Sequence, residues 1–225
     1  NNIAVASMDD PSVFGEVLHQ IKFSDAISQK PPLLSDYQVI IVGVDDPMIR
    51  SKINNRDFLS TDGKNVITAD TLSSIIALSK TIKKYKLKRV ITFHNKVKSA
   101  KKFAQNLSHI ISWIPESDKP KEIVESDYVS GEMNSKERNK KLTKLKNLEK
   151  NSIRVISNAR CLSEGIDVPA LDGIAFIEPK RSQVDIIQAV GRAIRKSPDK
   201  KVGTIVIPVY LGNGEETEDA IISSR

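Results

Sequence analysis

Apolar residues fall into two alternating rhythms along this chain, and the alternation predicts its fold. Short aliphatic, β-branched runs recur in "YQVIIVGV" (37–44), "RVITF" (89–93), "IVESDYVSG" (123–131), "SIRVISN" (152–158), "GIAFIEP" (173–179) and "VGTIVIPVYL" (202–211). Runs of that length bounded by turn formers read as strands. Between them lie longer segments whose apolar residues return every three or four positions, the period of a helix with one buried stripe. In "ADTLSSIIALSKTIKKY" (69–85) the stripe is Leu72, Ile75, Ile76, Ser79 and Ile82. In "VKSAKKFAQNLSHII" (97–111) it is Val97, Ala100, Ala104, Leu107 and Ile111. "SKERNKKLTKLKNLEK" (135–150) is a third helix, with Asn134 or Ser135 placed to cap it. A fourth contains "QAVGRAIR" (188–195), where Val184, Ile187, Val190 and Ile194 recur at helical spacing. Strands alternating with helices predict an α/β domain, a largely parallel sheet with helices on both faces. Ligands of such sheets bind beyond the carboxyl ends of the strands, where the motifs below are expected to fall.

The remainder reads differently. Residues 1–35 form a tail and connector, with a short strand at "IAVAS" (3–7) and a break at Pro31 and Pro32. Residues 36–225 are expected to form the domain itself. Asp45 to Lys64 is polar and turn-rich, a surface loop or short arm. With no initiator methionine and an abrupt "IISSR" at the end, the chain is expected to be a piece of a longer protein.

Composition narrows the function classes. The 225 residues suffice for a core that needs no staples, and the lone Cys161 cannot make an internal disulfide, which suits a reducing, cytoplasmic setting. No apolar stretch approaches a membrane span. Three scattered histidines and one cysteine give no metal-ligand spacing. The net charge is +7, with lysines gathered between Lys80 and Lys102 and between Lys136 and Lys150. Such runs suit either a polyanion or solvated helix faces. Few aromatic residues accompany them, which argues against base-specific reading.

Two segments carry chemistry that folding alone does not require. On a helix turning about 100° per residue, Gln188, Arg192 and Arg195 fall within roughly 60° of one another. Ile186, Ala189, Val190, Ala193 and Ile194 occupy the other flank. Two guanidinium forks on one face, beside Gly191, suit phosphate oxygens better than simple solvation would demand. "NARCLSEGIDVPAL" (158–171) follows a predicted strand and holds Gly165, which permits close backbone approach, and Asp167, an acceptor just beyond it.

Together these segments resemble the second RecA-like domain of superfamily-two helicases and translocases. "SEGIDVP" resembles motif V, "QAVGRAIR" motif VI in the form Q-x-x-G-R-x-x-R, and "RVITFHNKVKSAKKFAQNL" motif IV. "YVSGEMNSKERNKKL" resembles the segment where a Ser-Gly pair, here Ser130 and Gly131, ends a strand and an arginine, here Arg138, follows. The likeness spans about residues 88 to 210, with its elements in the family's order. "FGEVLHQIKFSDAISQKPPLLSDYQVIIV" is similar to the stretch joining the motor domains of type I and type ISP restriction enzymes.

The resemblance implies a RecA-like fold and half of an ATP-driven DNA motor. ATP and Mg2+ would sit between this domain and a first RecA-like domain, which supplies the phosphate-cradling loop and the magnesium carboxylates. Arg192 and Arg195 would act as arginine fingers, with Gln188 orienting them or a water. Gly165, Asp167 and Gly191 would lie at the nucleotide. The opposite sheet edge would hold the nucleic-acid backbone, DNA rather than RNA, through Phe93, His94, Asn95, Ser130, Gly131, Arg138, Ser157, Asn158 and Arg160. His94 also reads as a capping or packing residue, and Arg138 as an anchor of its helix to the sheet.

Some features depart from that pattern or imitate others. Ala189 and Glu164 stand where some relatives carry arginines, which favours the restriction and repair branch over the RNA-helicase one. Asp45 and Asp46 follow an apolar run and imitate a magnesium-binding strand end. No G-x-x-x-x-G-K-S/T accompanies them, so the chain is not expected to hydrolyse ATP alone. The alternative is a non-catalytic RecA-like module that binds nucleic acid or a protein.

Overall fold

The computed structural model describes residues 10–44, 67–159, 161, 171–179, 182–197, 200 and 202–210. The apolar runs form strands β1 (Asp36–Val44), β2 (Arg89–His94), β3 (Ile123–Ser130), β4 (Ser152–Ala159), β5 (Gly173–Phe176) and β6 (Val202–Tyr210). They make one six-stranded sheet in the order β1-β6-β5-β2-β4-β3, with every neighbouring pair parallel. β4 is buried along its whole length, its Arg154 included.

Parallel neighbours require crossovers, and helices supply four of the five: α3 (Ala69–Tyr85), α4 (Val97–Trp113), α5 (Ser135–Lys146) and α6 (Gln183–Ala193). α3 and α4 carry the chain one way across the sheet, from β1 to β2 to β3. α5 and α6 bring it back, from β3 to β4 and from β5 to β6. Right-handed crossovers running in opposite directions place their helices on opposite faces. α3 and α4 accordingly pack on each other. Ile75, Leu78 and Ile82 of α3 and Phe103, Leu107 and Ile110 of α4 close over Val90, Val155, Ala175 and Val206 of the sheet. This is the RecA-like α/β fold expected from the sequence, with the predicted stripes of α3 and α4 facing inward.

Local chemistry sets the helix ends. Thr68 caps α3 and Asn134 caps α5, each accepting a hydrogen bond from a first-turn backbone N–H. α5 stops at Lys146, four residues before the sequence pattern suggests, at Asn147. The expected tail contains two short helices, α1 (Pro11–Phe14), started by Asp10 and Pro11, and α2 (Phe23–Ser28). Residues 1–34 form one compact unit and 35–225 another. The "IAVAS" segment and the Asp45–Lys64 loop lie outside the described residues.

The two sheet edges differ. On β3, Glu125 is paired with Arg154 of β4, and Asp127 with Lys141 of α5 at 2.9 Å. On β1, Tyr37, Val39 and Ile41 stand exposed on alternate positions.

Gly203, at the start of β6, passes directly beneath the last turn of α6. A Cβ there would lie 2.4 Å from the Ala193 carbonyl oxygen, an overlap that only backbone movement could relieve. At Gly173 the nearest atoms are the Leu87 Cδ1 at 3.0 Å, the end of a side chain, and the Thr204 carbonyl oxygen at 3.1 Å, contacts that a shift of a few tenths of an ångström relieves. Gly203→Ala is therefore expected to cost about 1–3 kcal/mol or more, and Gly173→Ala distinctly less, in urea unfolding of the two variants.

Candidate functional site

α6 holds the first group of candidate residues. Ser182 caps it, its Oγ accepting from Asp185 N at 3.2 Å, and Asp185 complements the positive helix end. At the other end the orphan carbonyls are answered by specific partners. Lys200 Nζ donates to Ala193 O at 2.7 Å and to Leu171 O at 3.0 Å, and Ser35 N donates to Ile194 O at 2.8 Å. The helix stops at Ala193, so Arg195 lies two residues beyond it and the expected helix face shared by Gln188, Arg192 and Arg195 is not formed. The buried stripe is Ala189, Val190, Ala193 and Ile194, with Ile186 half-buried. Val184 and Ile187, expected to share in the apolar spacing, are 62% and 54% exposed. They lie about 160° and 100° round the helix from the centre of that stripe.

The three motif side chains thus have three different settings. Arg192 is buried, with 7% of its surface exposed. Arg195 is exposed. Gln188 is half-buried, and its Oε1 is buried without a hydrogen-bond partner. Gly191 is half-buried in the last turn of the helix, and its neighbours Val190 and Arg192 are buried.

The second group gathers at the carboxyl edge of the sheet. Parallel register sets Phe93 beside Asn158 and Phe176, His94 beside Ala159, and Ser130 beside Ala159. Strand alternation divides these residues between the faces. His94 and Ser157 share the α3/α4 face: Thr92 Oγ1 meets His94 Nε2 at 2.9 Å and donates to Ser157 Oγ at 3.1 Å, and the His94 ring packs on Phe103. Phe93 and Asn158 lie on the other face, where Phe93 packs on Phe176 at 5.5 Å between ring centres. Phe93, His94, Ser130, Ser157 and Asn158 are buried. Asn95 and Arg138 are half-buried, and Gly131 is exposed. His94 is thus built into the core, as its packing reading anticipates. Arg160, Gly165 and Asp167 lie outside the described residues.

Two contacts at this edge join elements far apart in sequence. Asn95 N donates to Glu178 Oε2 at 2.5 Å, and Asn95 Nδ2 donates to Pro179 O at 3.1 Å. The loop after β2 is thereby fastened to the segment that leads into α6. Arg138 of α5 has a buried Nε without a partner, and its guanidinium lies beside the Cys161 thiol. Sequence reasoning passes over Glu178, Lys200 and the Arg138–Cys161 neighbourhood. An acidic residue followed by proline at a strand end is the only local trace of the first. Nothing local marks the other two.

The candidates therefore separate onto opposite edges of one sheet. A parallel strand and the helix after it run in opposite directions, so α6 starts at the carboxyl edge and ends near the amino end of β6. Its 11 residues span about 16 Å. The arginines lie at or beyond the far end of this rod from Asn95 and Gly131.

Residues 71–197 match the family model described as the helicase conserved C-terminal domain. The chain belongs to this family. The helicase C-terminal domain is also similar to a solved structure, the ATP-dependent type ISP restriction-modification enzyme LlaBIII bound to DNA. The two share 30% identity and a TM-score of 0.76, over 95% of this chain and 14% of that one. A fragment from Vibrio vulnificus, named as an HsdR subunit of a type I restriction enzyme, has the same fold. It shows 18% identity and a TM-score of 0.57 over 88% of this chain and 36% of the fragment. A probable helicase of African swine fever virus is 22% identical over 207 residues, 91% of this chain. The chain spans 21% of that viral protein's length. The chain is a helicase C-terminal domain with the RecA-like fold, and its structural neighbours include restriction enzymes. None of its described helices is long and apolar enough to cross a membrane.

Cys161, the sole cysteine, reports on the root of the motif V segment. Burial pushes its thiol above the ordinary value, against a smaller opposing pull from Arg138. Above the ordinary thiol value the unfolded chain gives up this proton while the folded one keeps it, so stability falls as pH rises toward the folded value. Cys161→Ser is expected to flatten that alkaline fall in chemical unfolding, and the native thiol to react with a disulfide reagent far more slowly than the unfolded one.

Proposed function

We propose that this domain is the second half of an ATP-dependent DNA translocase of restriction type. Arg192 and Arg195 serve a triphosphate held at the interface with a first RecA-like domain, and the carboxyl edge contacts the nucleic-acid backbone. The observation that carries this reading is the placement of Arg195, exposed just past a helix end that Gly203, Lys200 and Ser35 hold in place. A guanidinium presented from an immobilised base suits charge that develops elsewhere, since little must reorganise at the moment of reaction. The likeness to LlaBIII supports the ATP and DNA parts of the reading.

The donor set fits a nucleotide only in part, as a two-domain site requires. Arg192 and Arg195 can neutralise phosphate oxygens, and the unpartnered Gln188 Oε1 can accept from a water or from an arginine. In this reading the carboxylates for Mg2+ fall to the first domain. Arg195 is already at the surface, whereas Arg192 must turn out of its buried position to reach a phosphate. The carboxyl edge offers mainly strand-end backbone and the exposed Gly131, which suits binding that follows phosphates and ignores base identity.

In the full-length protein, Arg192→Ala and Arg195→Ala are each expected to lower ATP turnover by about 10³-fold or more. Both should leave binding of a DNA duplex within about threefold. Turnover retained in both variants would overturn the assignment. Turnover lost together with DNA binding would point to a damaged fold, which a thermal-unfolding comparison detects.

A further inference from the structure

We infer that Glu178 is a positioning residue that couples nucleic-acid contact at the end of β2 to the arginines at the far end of α6. The inference rests on the function proposed above and goes beyond it, because Glu178 lies outside the motifs that resemble the family. Three observations carry it.

The first is the clasp itself. Asn95 donates twice across the carboxyl edge, from its backbone to Glu178 Oε2 at 2.5 Å and from its side chain to Pro179 O at 3.1 Å. A bond to a carboxylate is about twice as strong as one between neutral groups. The second is what lies on either side of it. Behind the clasp, Ile177 N donates to Phe93 O at 3.2 Å and Phe93 packs on Phe176, so β2 and β5 stay joined up to the clasp. Ahead of it, Pro179 restricts the backbone and Ser182 caps α6 only four residues after Glu178.

The third is the state of the other end of α6. Lys200, Ser35 and Gly203 hold the last turn against β6. A helix fixed at one end cannot slide to absorb a shift at the other, so it tilts. A phosphate settling on the loop at Asn95 moves the clasp, the clasp moves the start of α6, and the rod pivots about its held end, so the arginine side chains there change aim while their backbone stays in place. A misplacement of about 1 Å at such groups can cost on the order of 10²-fold in rate. The described parts of the path are hydrogen bonds up to Pro179 and one rigid element from Ser182 onward, the kind of linkage through which coupling can pass.

The test uses the full-length protein with ATP, with and without a linear DNA duplex. Turnover is read in both conditions, DNA affinity by fluorescence anisotropy, and folding by thermal unfolding. In Glu178→Ala, DNA affinity and DNA-free turnover are expected to stay within about twofold, while DNA-stimulated turnover falls at least about tenfold. Glu178→Gln keeps an oxygen that accepts from Asn95 N and should retain most of the stimulation. Glu178→Asp, one methylene shorter, should lose it, and carries the test should the alanine variant fail to fold.

Stimulation unchanged in Glu178→Ala, or in Glu178→Asp where that variant carries the test, overturns the inference. So does a loss of DNA affinity that parallels the loss of turnover, which would make the clasp a mere scaffold for binding. A wild-type protein with no DNA-stimulated turnover would instead sink the motor reading, and the inference with it, a result visible before any variant is made.

Discussion

The backbone of β6 runs so close beneath the last turn of α6 that residue 203 has no room for a side chain. That contact decides where the helix stops and therefore what lies beyond it. Helix ends leave carbonyls that need partners, and a buried end without them is costly. Here Lys200 reaches from the other side of the turn to the Ala193 carbonyl, and Ser35 answers Ile194. Burial lowers the Lys200 pKa, with Asp172 opposing, a sign that the ammonium is drawn into the structure to make these bonds. Without this closure "GRAIR" could continue as helix, and Arg195 would lie along the helix surface.

The opposite end of α6 is governed by the carboxyl edge, so one short rod touches both edges of the sheet. This arrangement separates two tasks on a single scaffold. Phosphates of a long polymer need a broad strip of backbone and small groups. Charge neutralisation at a reacting phosphate needs a few cations held firmly. The sheet supplies the strip along its strand ends, and the far end of α6 supplies the cations. Five of the candidate residues at the carboxyl edge are buried, so their contribution lies in fixing the strand ends and turns that follow them.

The fold was largely legible because its signals are local and repeated. Leu72, Ile75, Ile76 and Ile82 mark one face by period alone, and Asn134 announces the start of α5. The Q-x-x-G-R-x-x-R pattern was legible as chemistry, yet its geometry was not. Periodicity carried the helix through Arg195 because it has no means of registering a glycine ten residues away in sequence. Val184 and Ile187 misled for a related reason: apolar residues at helical spacing mark a face only when something covers it. Glu178 escaped notice because its partner lies 83 residues earlier and donates to it through a backbone N–H that carries no sequence signature. Arg138 read ambiguously as anchor or ligand, and a buried, unpartnered Nε beside Cys161 keeps both roles within its reach.

The unequal margins of the sheet give the domain a direction of vulnerability. β3 carries carboxylates engaged by Arg154 and Lys141, and ionised groups at a border discourage an incoming strand. β1 instead shows Tyr37, Val39 and Ile41 beside a row of backbone groups at the sheet's end. Among the described strands, β1 is therefore the border more open to an added strand than β3.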